Sequence, residues 1–175
     1  MTDIYPPSGD SFFFSNFLEK YLSIADKNIK YLDMGCGSGV LSETTSKFLD
    51  KKNILAVDIN PDAVAFVKQK NFNTVQSDLF KNIHDKFDLI TFNAPYLPLD
   101  NREPKSSQIA TTGGKHGDEI TVKFLKQAKR YLNKNGKIFL LISSLTPTNK
   151  IKKFNGKIVS RKKIFFEELQ IWEFN

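Results

Sequence analysis

Short apolar runs alternate along this chain with stretches whose apolar residues recur at helical spacing. The runs predict five strands, at 29–35, 53–59, 73–78, 87–93 and 136–144. Parallel strands need a crossover about as long as a helix, so this alternation predicts an α/β fold with a doubly wound, mostly parallel sheet. Ligands bind such a sheet in the crevice outside the carboxyl ends of its strands. Functional residues are therefore expected directly after strands.

Helical spacing marks four segments around these strands. The first three cover residues 11–25, 39–50 and 61–70, and Pro61 suits the first position of the third helix. The fourth helix shows apolar residues at every fourth position and is expected to end at Asn135–Gly136. Its apolar positions are Ile120, Phe124, Ala128 and Leu132.

The tail of the chain, residues 156–175, alternates well enough to predict a closing antiparallel pair. These segments together predict a seven-stranded sheet that is mostly parallel and has an antiparallel closing strand. The 175 residues contain no internal repeat, linker or low-complexity tract, so a single domain over residues 1–175 is expected.

Composition excludes several classes of protein. Cys36 is the single cysteine, so no internal disulfide forms, and no Cys/His spacing indicates a metal site. His84 and His116 are expected at the surface, without a chemical role. The first ten residues lack the pattern of a signal peptide, and the longest apolar runs are too short to span a bilayer. A cytoplasmic protein with no membrane segment is expected.

The net charge of +7 and the pI of about 9.4 favour acidic partners, such as nucleic acid or an acidic protein face. A lysine-rich surface that is simply solvated gives the same composition. Composition alone leaves both interpretations open.

The first strand ends in the glycine-rich sequence LDMGCGSGV, residues 32–40. Gly35, Gly37 and Gly39 let the backbone turn sharply and approach a ligand closely. Their spacing is G-x-G-x-G, whereas a dinucleotide fingerprint has G-x-G-x-x-G. Asp33 at the strand end would repel a pyrophosphate and attract a cationic amino-acid group. The turn therefore favours a ligand other than a dinucleotide.

The next two strands also end on carboxylates. Asp58 is suitably spaced to accept hydrogen bonds from ribose hydroxyls, and Asp78 could accept from an adenine amine while Leu79 packs on the ring. A cationic amino acid, a ribose and an adenine together describe S-adenosylmethionine. Three aspartates that merely cap loops and helices are the alternative. The predicted cofactor-binding residues are Ser11, Asp33, Gly35, Cys36, Gly37, Gly39, Asp58, Ile59, Asp78, Leu79 and Asn93.

The fourth strand ends on the sequence Asn93-Ala94-Pro95-Tyr96, which is the predicted catalytic turn. The Asn93 side-chain oxygen and the Ala94 carbonyl can accept hydrogen bonds from the two N–H groups of a planar amide or aniline-like nitrogen, and so turn its lone pair towards a methyl donor. Pro95 restricts residue 94 to extended conformations. Tyr96 can stack on the planar acceptor. An ordinary Asn-containing turn is the alternative.

These motifs resemble the amino-methyltransferases whose motif is Asn-Pro-Pro-Tyr, and within them the archaeal and eukaryotic branch of the HemK-related glutamine methyltransferases. Residues 4–18 are similar to the N-terminal segment of that branch, in which Ser11 matches a hydroxyl residue bordering the cofactor, so residues 1–26 are expected to pack over the cofactor site. Residues 111–120, 142–146 and 162–172 resemble its Gly-Gly-x-x-Gly segment and its closing strands. The resemblance implies a class I, Rossmann-like methyltransferase fold.

The resemblance also implies a substrate and a partner. The substrate is the glutamine of a Gly-Gly-Gln loop in a class 1 translation release factor, methylated at its side-chain amide. The fold is expected to begin near residue 1, as in the branch that forms a heterodimer with a small zinc-binding activator subunit, and residues 71–76 are the expected contact. Ala94 stands where the family has its first proline, which should reduce pre-organisation by about 0.5–1 kcal/mol.

Other functions remain open at the level of the sequence. The Asn-x-Pro-Tyr geometry also supports methylation of exocyclic amines in DNA or RNA, although 175 residues leave no room for a target-recognition domain. A lysine acceptor, or a cofactor-binding subunit without activity, is a further alternative. The basic segment 150–163 either faces ribosomal RNA or a termination factor, or guards edge strands against aggregation.

Overall fold

The fold is a seven-stranded sheet with helices on both faces. The structure, a computed structural model, describes residues 4, 7–100, 102, 108, 111–165 and 167–175. The strands are β1 Tyr31–Met34, β2 Ile54–Asp58, β3 Asn73–Gln76, β4 Phe87–Asn93, β5 Leu132–Ser143, β6 Lys157–Ile164 and β7 Glu167–Phe174. The described helices are α1 Gly9–Leu22, α2 Val40–Thr45, α3 Pro61–Gln69 and α4 Glu119–Ala128, with 3₁₀ turns at Lys51–Asn53, Lys129–Tyr131 and Ile151–Phe154.

The order of strands in the sheet is β3-β2-β1-β4-β5-β7-β6. The first five strands in this order pair in parallel, while β7 is antiparallel to both of its neighbours. The predicted mostly parallel sheet with an antiparallel closing strand is confirmed. The chain order reverses between β1 and β4, which is where an open α/β sheet forms its ligand crevice.

Several predicted boundaries were wrong. The first helix was predicted over 11–25, but α1 begins at Gly9 and ends at Leu22. The second was predicted to continue to residue 50, but α2 ends at Thr45. The fourth helix ends at Ala128, and Leu132 already belongs to β5. The Asn135–Gly136 pair lies inside a shift of register between β4 and β5, where Asn135 has a φ of 65°. This turn-forming pair therefore makes a bulge in β5 and does not end the fourth helix.

The sheet buries an apolar cluster on each face. Along β5 the residues alternate, so that Ile138, Leu140 and Ile142 face one cluster with α4. Phe139 and Leu141 face the other cluster, which contains the apolar side of α1. This alternation follows from the two-residue period of a strand and fixes α1 against the sheet. None of the described helices is long and apolar enough to cross a membrane.

Phe139 on β5 packs against two aromatic rings of α1. It is fully buried, and its ring centroid lies 4.9 Å from that of Phe17 and 4.8 Å from that of Tyr21, both in edge-on geometry. The substitution Phe139→Ala should lower the free energy of unfolding by about 3–5 kcal/mol, measured by urea denaturation, because it removes a buried ring from a packed contact.

Phe165 provides the matched control, because its side chain is 98 % exposed at the turn between β6 and β7. Phe165→Ala should change the free energy of unfolding by less than about 0.5 kcal/mol. Equal losses for the two variants would contradict the packing described for α1.

Candidate active site

The site lies where β1, β2 and β4 end side by side. Met34 pairs with Val57 on one side and with Phe92 on the other, so the next residues along the three strands are Gly35, Asp58 and Asn93. A cavity of about 330 Å³ opens at this edge. The predicted site residues that line it are Ser11, Asp33, Gly35, Cys36, Gly37, Asp58, Ile59, Asp78, Leu79, Asn93, Ala94, Pro95 and Tyr96.

The glycine-rich turn shapes one wall of the cavity. Gly37 has a φ of 50°, and a Cβ atom there would meet no atom within 4 Å, so the absence of a side chain leaves room for a ligand. Gly39 is not among the described residues that line the cavity. A Cβ on Gly39 would lie 2.9 Å from Val67 Cγ2, so this glycine lets α2 begin against α3.

Asp58 holds the glycine-rich turn in place. Its Oδ2 accepts a hydrogen bond from the Gly37 N–H at 2.8 Å, and its Oδ1 accepts from the Asn60 N–H at 2.9 Å. Burial raises the pKa of Asp58 above its ordinary value, while these backbone donors oppose the rise. Each carboxylate oxygen has a second lone pair, which can accept a further hydrogen bond from a ligand hydroxyl.

Asp33 lies at the base of the cavity and is almost completely buried. Burial raises the pKa of Asp33 to about 7, although the Ser42 hydroxyl stabilises the carboxylate by donating a hydrogen bond to its Oδ2 at 2.7 Å. The charge of Asp58 adds to the increase. A cationic group bound in the cavity would favour the ionised form of Asp33.

The raised pKa of Asp33 predicts pH-dependent binding of a cation. The ionised fraction of this carboxyl rises with pH through about 7, so the affinity for S-adenosylmethionine should rise in the same direction. With that pKa, ionisation at pH 6 is about one tenth, which corresponds to binding about tenfold weaker than at pH 8 and above. Isothermal titration calorimetry at both values would measure the ratio.

Asp33→Asn is the control for this measurement, since it has no carboxyl to titrate at this position. Dividing the affinity of the wild type by that of the variant at each pH removes the ionisation of the ligand itself. A ratio that stays constant between pH 6 and pH 8 would show that Asp33 does not meet the cation.

Asp78 carries an ion pair that the sequence did not predict. The Lys123 ammonium lies 3.0 Å from its Oδ1 and 2.9 Å from its Oδ2, and both side chains are about half exposed and line the cavity. Such an exposed pair contributes little to stability. Leu79 follows in the left-handed region, with a φ of 51°, and is buried beside the cavity. Lys123 therefore belongs to the wall at the expected adenine end.

The Asn93 side chain is oriented towards the cavity by a residue that the sequence analysis missed. Its Nδ2 donates to Asp10 Oδ2 at 3.3 Å, and the Tyr96 hydroxyl donates to the same oxygen at 3.4 Å. The other end of the amide, Asn93 Oδ1, is buried and has no partner among the described residues. Asp10 precedes Ser11 in the segment that resembles the family, and that position was the available signal.

Two contacts hold the backbone of the catalytic turn. Thr146 Oγ1 donates to the Tyr96 carbonyl at 3.1 Å. A Cβ on Gly113 would lie 2.6 Å from the Pro95 carbonyl, so only a glycine allows the loop at 113–117 to approach the turn this closely. Ala94 is buried and lines the cavity despite replacing a proline. Long-range packing therefore supports the turn in addition to Pro95.

A second cavity of about 260 Å³ lies against the same residues. It is lined by Ser8, Gly9, Asp10, Tyr96, Ile164, Glu167 and Leu169. Asp10 and Tyr96 line both cavities, so they form the partition between the glycine-rich site and a groove under the β6–β7 turn.

Three features of the site fit a cationic nucleoside cofactor. They are a glycine turn open to a ligand, carboxylates at three strand ends and an amide oxygen without a described partner. Fold and site together define an S-adenosylmethionine-dependent N-methyltransferase. The sequence model of the family described as "Methyltransferase small domain" matches residues 9–165. The chain belongs to that family and, within it, to the HemK-related methyltransferases.

Three curated relatives support this assignment. A "putative protein N5-glutamine methyltransferase" of Methanocaldococcus jannaschii is 38 % identical over 183 residues, covering 97 % of this chain and 90 % of the relative. The human methyltransferase HEMK2 is 29 % identical, covering 80 % and 72 %. A release factor glutamine methyltransferase of Lactococcus lactis is 30 % identical over 66 % of this chain, which spans 47 % of that relative.

A solved structure supports the fold. The 16S rRNA N2 G1207 methyltransferase of T. thermophilus, in complex with AdoMet and guanosine, superposes with a TM-score of 0.71 at 14 % identity. The match covers 97 % of this chain and 43 % of that protein. The class I methyltransferase fold predicted from the sequence is confirmed.

Proposed function

We propose that this chain methylates the side-chain amide of a glutamine, in the Gly-Gly-Gln loop of a class 1 translation release factor. The observation that carries the proposal is that Asn93 lines the cofactor cavity while its buried side-chain oxygen has no partner among the described residues. Buried polar atoms normally have a hydrogen-bond partner, so this oxygen is expected to accept a hydrogen bond from the substrate. The names of the relatives supply the class of acceptor.

The cofactor residues have separate tasks in this proposal. S-adenosylmethionine, when bound, supplies a methyl group made electrophilic by a sulfonium. Asp33 attracts the cationic amino-acid end, and Asp58 accepts from the ribose hydroxyls while it keeps Gly37 in place. Asp78 and Leu79 receive the adenine ring beside Lys123. Ser11, Cys36 and Ile59 complete the wall of the cavity.

The catalytic turn activates the acceptor by holding its nitrogen. An amide nitrogen is a poor nucleophile because its lone pair is delocalised into the carbonyl group. Asn93 Oδ1 and the Ala94 carbonyl accept from its two N–H groups, which directs the lone pair towards the methyl group. Tyr96 stacks on the amide plane. As the N–CH₃ bond forms, the S–CH₃ bond breaks and a neutral thioether leaves. The nitrogen becomes acidic only in this step and gives its proton to water, so positioning and fixed dipoles carry the catalysis without a dedicated base.

Removal of the Asn93 amide should separate chemistry from cofactor binding. Asn93→Ala should lower kcat by about 100-fold or more, the usual effect of deleting one pre-organised polar group, and leave the dissociation constant of S-adenosylmethionine nearly unchanged. Single-turnover kinetics and calorimetry measure the two quantities. Full activity in this variant would contradict the role assigned to Asn93.

The expected activator subunit has an available contact. Residues 73–76 of the predicted contact segment form β3, which lies at one edge of the sheet, with Asn73 and Gln76 exposed. A free edge can pair with a partner strand. We propose that a small zinc-binding subunit covers this edge. The basic residues Lys157, Arg161, Lys162 and Lys163 occupy the opposite edge, β6, which favours the guard interpretation of that segment.

The identity of the acceptor is tested by transfer of labelled methyl groups to defined substrates. The chain is incubated, with and without the activator subunit, with a class 1 release factor, with the same factor lacking its Gly-Gly-Gln glutamine, and with total nucleic acid. Label is expected on the intact factor alone. Label that persists on the substituted factor excludes the glutamine, with lysine the next acceptor to test. Label on nucleic acid alone indicates a nucleobase amine.

A further inference from the structure

We propose that Asp10 is a positioning residue that fixes which end of the Asn93 amide faces the methyl-transfer site. This inference rests on the proposed function, because it concerns the acceptor nitrogen that Asn93 is proposed to hold. It assigns a task to a carboxylate that the sequence analysis did not single out.

The two oxygens of Asp10 have different partners. Oδ1 accepts from the Ser11 N–H at 2.6 Å and from the Ser8 hydroxyl, so the start of α1 holds it. An acid in the first turn of a helix is also stabilised by the helix dipole. Oδ2 is left to reach across to Asn93 on β4 and to Tyr96. The carboxylate therefore connects α1 to the catalytic turn.

The chemistry of the pair determines the orientation of the amide. An ionised carboxylate can only accept hydrogen bonds, whereas an amide has a donor end and an acceptor end of nearly equal shape. Asp10 therefore selects the orientation in which Asn93 Nδ2 faces it, which leaves Oδ1 as the end of the amide without a partner among the described residues. In the flipped orientation, Asn93 would present its NH₂ group to the substrate nitrogen that is to be methylated. That nitrogen has no accessible lone pair with which to accept the hydrogen bond.

The contact is buried enough for this selection to be effective. Asp10 is 7 % exposed, so little water competes for its oxygen. The distance of 3.3 Å from Asn93 Nδ2 is at the long end for an N–H···O hydrogen bond. The contact is therefore suited to orienting the amide more than to stabilising the fold.

Exchange of the two side chains tests the inference. Asp10→Asn should lower kcat by about tenfold, because an amide at position 10 no longer selects one orientation of Asn93. Asn93→Asp should lower kcat further, since it places the carboxylates of residues 10 and 93 against each other. The double variant D10N/N93D restores one amide and one carboxylate, with an oxygen of residue 93 again facing the cavity, and should be more active than N93D.

A readout without turnover accompanies the kinetics. One side-chain NH₂ signal in the ¹H–¹⁵N spectrum is assigned to Asn93 by its absence from N93D. In the protein without ligands, D10N should move that signal upfield, because the bond to the carboxylate is lost. Glu19→Gln is the matched control, an acid on the same helix whose carboxylate contacts Lys47 at the surface. It should change neither the spectrum at Asn93 nor kcat.

The outcomes separate this inference from the proposed function. An unmoved Asn93 signal in D10N, or a double variant no more active than N93D, overturns the role of Asp10. Weaker cofactor binding in D10N with an unchanged kcat also overturns this role, because Asp10 would then bind the cationic cofactor and not position Asn93. If the wild type methylates no release factor, the proposed function fails, while the NMR comparison still decides the orientation. If D10N does not fold, the activities of N93D and of the double variant are compared instead, and they test the same role of Asp10.

Discussion

Parallel pairing of β1 with both β2 and β4 is the constraint on which the site depends. It places Gly35, Asp58 and Asn93 next to one another at the same edge of the sheet. Some backbone groups beyond these strand ends have no ladder partner, so turns or side chains must satisfy them. Asp58 does so for the turn that follows β1. The same carboxylate thus completes the fold locally and presents remaining lone pairs to a ligand.

The strand ends were predictable from the sequence because their information is local. Asp58 and Asn93 are the last residues of apolar runs, and β4 has the predicted bounds of 87–93. The Asn135–Gly136 pair misled the prediction of the fourth helix, since the same turn residues suit a bulge and a helix end. Gly39 was assigned to the ligand because spacing cannot distinguish an approach to a cofactor from an approach to another helix.

The residues that the sequence analysis missed act across long separations. Asp10 meets Asn93 over 83 positions of sequence, and Lys123 meets Asp78 over 45. No periodicity relates such pairs, because packing of α1 and α4 on the sheet brings them together. The positions of Phe139 on one face and Phe124 on the other determine where those helices lie. Core packing thereby decides which side chains complete the site.

The distribution of charge explains how a basic protein recognises a cation. The chain carries a net charge of +7, yet the described lining of the cavity has four carboxylates, from Asp10, Asp33, Asp58 and Asp78, against the single ammonium of Lys123. Buried carboxylates are destabilised by loss of water and by one another, as the raised pKa of Asp33 shows. A sulfonium and an ammonium group would relieve that repulsion. The cofactor would therefore supply positive charge where the described lining of the cavity lacks it.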